Sequence, residues 1–160
     1  MTKNIIHFIT IIVLFIAACS GKDNNCREAD GLKICTISFT PEEIDTIILR
    51  KFSKGTGFKN KIDTLIMDST NAFFEISKFS KDSSVLAIFT PAMLIKSKYD
   101  FEIYFPAVNK LVKITEIDEP LQKQKKGIAD TTYCTNVIKS FKMDGQTVNA
   151  DSHSLLFIHR

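Results

Sequence analysis

From Leu32 onward the chain runs in short stretches where apolar and polar positions exchange every second residue, separated by turn formers. Lys33, Cys35, Ile37 and Phe39 alternate with Leu32, Ile34, Thr36 and Ser38 until Thr40-Pro41 stops the run. Tyr99, Phe101, Ile103 and Phe105 alternate with Asp100, Glu102 and Tyr104, the clearest period-two signal in the chain, and Pro106 ends it. Residues 44–50, 62–67 and 111–117 read as further strands. Residues 71–77 set Ala72, Phe74 and Ile76 against Phe73 and Glu75, and residues 85–89 are apolar throughout, as in a central strand. Near the end, strands at 137–143 and 146–148 flank Asp144-Gly145, a two-residue hairpin signal because both residues tolerate positive φ. Residues 155–159 close the chain. No sustained 3.6-residue apolar stripe occurs, and the best helical candidates are single turns at 91–96 or 121–126. Eight or nine short strands at close spacing predict an all-β fold, an antiparallel β-sandwich, with an open barrel as the alternative.

The first twenty residues follow a different pattern. Lys3 precedes residues 5–15, which are apolar except for His7 and Thr10, and small residues follow. That is the layout of a secretory signal; a spanning helix needs about 20 apolar residues. The segment Ile16-Ala17-Ala18-Cys19 resembles the lipobox of bacterial lipoproteins: an aliphatic residue, two small residues and a cysteine. The resemblance implies cleavage before Cys19 and a diacylglyceryl thioether on its sulfur. Several acyl chains, at about 0.8 kcal/mol per buried methylene, would hold the chain durably at a membrane. The organisation expected is a signal peptide at 1–18, lipidated Cys19 with a polar tether to residue 31, and a β-sandwich over 32–160. The expected location is the cell envelope, at the outer membrane on its periplasmic or surface face. Lys22-Asp23 resembles the start of surface-export signals in lipoproteins of Bacteroidota, without the full acidic run.

Residues 44–48, the Lys-Gly-Thr-Gly loop after them, residues 99–103 and Cys134-Thr135-Asn136 together make the mature chain similar to small lipoproteins of Bacteroidota with an immunoglobulin-like or transthyretin-like β-sandwich. That resemblance implies a fold and no particular activity, because sandwiches host many functions.

Composition trims the functional classes. Net charge is +3 and Lys3 leaves with the leader, so no strongly basic face for nucleic acid is indicated. Thirteen Phe stand against no Trp, which points the Phe residues to a core and weakens a carbohydrate platform. With Cys19 lipidated, Cys26, Cys35 and Cys134 remain, and export favours a disulfide joining Cys134 to Cys26 or to Cys35, with a local Cys26–Cys35 loop as a third option. No C-x-x-C spacing supports a redox site.

Catalytic constellations are missing from the motif inventory. His153 and His159 have no partner at metal-ligand spacing, and there is no Gly-x-Ser-x-Gly elbow. Gly55-Thr56-Gly57 reads as a strand-to-strand turn; Asp144, Asn149 and Asp151 lack calcium-loop spacing. No cofactor or metal is expected. The partners expected are a membrane through the lipid and an envelope protein or glycan. Lys123, Lys125 and Lys126 form the one dense basic run, read as a solvated loop or a surface for lipid headgroups or acidic glycans. Phe73 and Tyr104, opposite the more apolar sides of their strands, are candidates for an exposed binding face. The leading expectation is a lipid-anchored, non-catalytic binding or assembly module. The competing ones are a small hydrolase or thiol enzyme using His153 or an unpaired Cys, and a sugar or lipid carrier with a Phe-lined cavity.

Overall fold

Period two becomes a layered structure because alternate residues leave opposite sides of a strand. The computed structural model describes residues 26–27, 31–68, 74–88, 91–126, 131–151 and 153–160. Its strands are β1 (Cys26–Arg27), β2 (Lys33–Ile37), β3 (Thr46–Ser53), β4 (Lys61–Asp68), β5 (Phe74–Ser80), β6 (Ser83–Ile88), β7 (Tyr99–Phe105), β8 (Lys110–Asp118), β9 (Leu121–Lys126), β10 (Thr131–Asn136), β11 (Ser140–Met143), β12 (Gln146–Asn149) and β13 (Leu155–His159).

They assemble into a six-stranded sheet in the order β12-β11-β8-β7-β3-β4, a four-stranded sheet in the order β13-β2-β6-β5, and a three-stranded sheet in the order β1-β10-β9. The first two pack face to face as an all-β sandwich. The larger sheet sends Ile47, Leu49, Met67, Phe101, Ile103, Phe105, Val112, Ile114 and Phe141 inward; the smaller contributes Ile34, Leu86, Leu156 and Ile158 to the same buried cluster. Burial of a large aliphatic or aromatic side chain contributes roughly 1.5–3 kcal/mol, so this layer is the main source of stability. Lys51 is the buried charge on the inner side. Its Nζ donates to Ala92 O at 2.6 Å and lies 4.8 Å from the Tyr99 ring centroid.

Local signals landed where the backbone chemistry is strict. Asp144 (φ 49°) and Gly145 (φ 84°) form the β11–β12 turn, both in the left-handed region that a two-residue hairpin needs. Residues 83–88 are a central strand, paired with β2 on one side and β5 on the other. Three expectations need correction. Residues 121–126 are not a helical turn but β9, paired residue by residue with β10. The Lys-rich connection is therefore a strand rather than a loop; its polar side chains carry no hydropathy pattern, while the ladder is made by backbone groups common to every residue. The turn at 91–96 shrinks to a 3-10 segment, Pro91–Met93. The sandwich is antiparallel as expected apart from one pair, β13 with β2, and the three-stranded sheet has one more parallel pair, β1 with β10.

Candidate functional site

The outward side of the six-stranded sheet carries three successive rows set by strand register. Ile48 lies opposite Ile66 on β4 and Tyr104 on β7, and Tyr104 lies opposite Leu111 on β8. Four strands thus present Ile66, Ile48, Tyr104 and Leu111 side by side. Ile66 is 51% and Leu111 41% exposed, with Ile48 and Tyr104 half-buried between them. The neighbouring row is Thr64, Arg50, Glu102 and Lys113. Glu102 is held from both sides, by Arg50 Nη1 at 3.4 Å and Lys113 Nζ at 3.9 Å. Arg50 also stacks over Tyr104, its guanidinium carbon 5.6 Å from the ring centroid, which ties the apolar row to the charged one. The Tyr104 hydroxyl donates to Asn109 Oδ1 at 3.1 Å, fixing the ring's outer end.

The third row, Phe52 and Asp100, is covered by the β3–β4 loop. Gly55 (φ 73°) turns the chain so that its N–H donates to Asp100 Oδ2 at 2.7 Å. Phe58 packs edge-on against Phe52 at 5.2 Å, and Lys113 Nζ sits 4.8 Å from the Phe58 ring. Asp100 is consequently 3% exposed although it sits on the outward side. The Gly55-Thr56-Gly57 turn caps one end of the sheet and stops the open face at the charged row.

The other residues singled out from the sequence scatter. Tyr104 belongs to the exposed row. Phe73 lies outside the described residues. Lys123, Lys125 and Lys126 lie on β9, at the edge of the three-stranded sheet. Cys35 is a free, fully buried thiol on β2, between Val85 and Phe157 in the ladder, so the two disulfides that would use it do not form. Burial, with the negative charge of Asp151 second, pushes its pKa up. A thiol kept protonated is a poor nucleophile. Cys26 and Cys134 occupy facing register positions on β1 and β10.

His153 is exposed in the turn before β13 and borders a cleft of about 350 Å³ with Lys33, Ser77, Lys78, Val85 and Leu155. Among the described residues no hydrogen bond joins His153 to Ser77, and His159 stands apart at the end of β13. Asp144 and Asp151 are committed to backbone. Asp144 Oδ1 accepts from Lys113 N at 2.8 Å, and Asp151 Oδ1 from the N–H groups of His153 and Leu155 at 3.0 and 2.8 Å. Among the described residues no three His, Cys, Asp or Glu side chains cluster as metal ligands. Two further clefts, of about 520 and 250 Å³, contain between them one Phe, Phe58, so neither is the Phe-lined cavity of a carrier. No described helix is long and apolar enough to cross a membrane.

Sequence reasoning missed Ile48, Ile66, Leu111, Arg50, Glu102 and Lys113 as a surface. The signal was present in part: Ile48 and Arg50 are out of phase with buried Ile47 and Leu49. Strand neighbours were needed to join them. Compared with protein-family models, with curated proteins and with solved structures, the chain matches none.

Proposed function

We propose that this chain is a non-catalytic binding module, held at the cell envelope by lipid on Cys19, that docks another envelope protein through the Ile66–Ile48–Tyr104–Leu111 row. The row is the observation that carries the reading. Single exposed aliphatics are ordinary on a protein surface, whereas a continuous line of four across four strands leaves apolar area that a partner would remove from water. An aromatic residue and an arginine at its centre have the composition of an interaction hot spot. The flanking row holds two cations against one carboxylate, so the partner's matching surface is an apolar ridge bordered by acidic side chains. The lipid supplies residence at the membrane and the sheet supplies specificity.

A photo-cross-linking residue placed at Leu111 of the full chain in its native envelope should trap one discrete partner. Ile66→Glu with Leu111→Glu should abolish capture while circular dichroism stays that of the wild type. Equal capture from Ile76, on the four-stranded sheet, would show indiscriminate stickiness and remove the reading. The anchor is tested separately. The wild-type mature chain should begin at an acylated Cys19 by mass spectrometry, and Cys19→Ala should move the protein from the detergent phase to the aqueous phase.

A further inference from the structure

We infer that Cys26 and Cys134 form a disulfide that fastens the start of the chain to β10. The two cysteines are partners in the parallel β1–β10 ladder. Residues in register on neighbouring strands share a face, and adjacent strands lie about 4.7–4.9 Å apart, inside the roughly 4.4–6.8 Å Cα separation that a disulfide spans. Cys35, the remaining candidate once Cys19 is lipidated, is buried and free on a different sheet. The three pairings open to the sequence reduce to one.

A two-residue strand also calls for such a bond. β1 contributes only Cys26 and Arg27 to its ladder, and ladders this short are barely stable alone. Lys123 on β9 occupies the next register position beyond Cys134, so Cys26, Cys134 and Lys123 form one row across the three strands. The step is a thiol–disulfide exchange. One thiolate attacks a donor disulfide, protein-borne or small-molecule, and forms a mixed disulfide; the second cysteine's thiolate displaces the donor. Two protons leave the cysteines, and the donor takes up two electrons and departs as a dithiol or two thiols. The inference rests on the envelope reading for that oxidising donor and for setting Cys19 aside. Its consequence is mechanical: the free tether between lipid and fold would be the six residues from Ser20 to Asn25, so Cys19 would lie at most about 25 Å from Cys26 when extended.

The test is thiol counting and peptide mapping on the full chain recovered from the envelope. Alkylation of denatured, unreduced protein should mark one cysteine, Cys35, rising to three after reduction, and a non-reducing digest should contain Cys26 and Cys134 in one linked pair. In Cys35→Ala the linked pair should persist. A linked pair containing Cys35, or a disulfide-joined dimer, would overturn the assignment. Three free thiols in protein from the envelope would overturn it too. The purified, reduced protein provides a second measurement: equilibrated with glutathione disulfide, it should close Cys26–Cys134, and failure to close would also overturn it. Failure of the lipid reading looks different, because bare Cys19 adds one alkylated residue before and after reduction without touching the linked pair.

Discussion

The two sides of β7 differ by one residue of phase and by almost everything else. Phe101, Ile103 and Phe105 are fully buried between the sheets, while Asp100, Glu102 and Tyr104 face outward and meet three different fates. Asp100 is roofed by the β3–β4 loop, Glu102 is clasped by two cations, and Tyr104 lies in an open apolar row. Stability is concentrated on the inward side. What the outward side does depends on whether a loop reaches over it, and at the Ile66–Leu111 row none does among the described residues.

Substitutions can break that comparison in order of size. Phe101→Ala should cost about 3–5 kcal/mol, because a buried aromatic leaves a cavity that its neighbours only partly fill; urea denaturation reads the loss as a lower midpoint. Asp100→Ala should cost about 1–3 kcal/mol by stranding the Gly55 N–H under the loop. The same denaturation series measures it, and faster amide exchange at Gly55 would localise it. An Asp100 variant as stable as wild type would mean the roofed row behaves like open surface.

A smaller effect comes from the outward side of the four-stranded sheet, where Cys35 is buried despite facing away from the core cluster. Its pKa is raised above the ordinary thiol range of about 8.5, first by burial and then by Asp151. The unfolded chain therefore loses this proton before the folded one does. The contribution to stability is full below the ordinary thiol range and is lost as pH rises from there through the raised folded value. Denaturation of wild type and Cys35→Ala, both reduced, should diverge in slope with pH only above about pH 8.5. Parallel curves across that window would mean the thiol is not desolvated. Least of all for stability, Ile66→Glu and Leu111→Glu should each stay within about 0.5 kcal/mol of wild type, being exposed. Their effect belongs on partner capture, and a large loss of stability would make the row part of the fold.

Legibility followed the range of the interactions involved. The 99–105 alternation, the apolar run at 85–89 and the Asp144-Gly145 turn were readable because each is decided within a few residues. β9 and β10 were not: Leu121 is the lone aliphatic residue of β9, and its ladder depends on backbone groups that leave no mark on composition. Of the four residues in the exposed row, one was readable. Tyr104 stood out as an outward aromatic, but nothing near it in the chain names Ile48, Ile66 or Leu111.

By itself, the sequence determined which residues turn the same way along each strand, and therefore that an all-β layered structure with an aliphatic and aromatic interior would form. Only the tertiary structure decided strand order and register, because pairing energy comes from partners tens of residues away. That choice placed Ile66, Ile48, Tyr104 and Leu111 in one row, brought Cys26 opposite Cys134, and enclosed Cys35 where no partner reaches it.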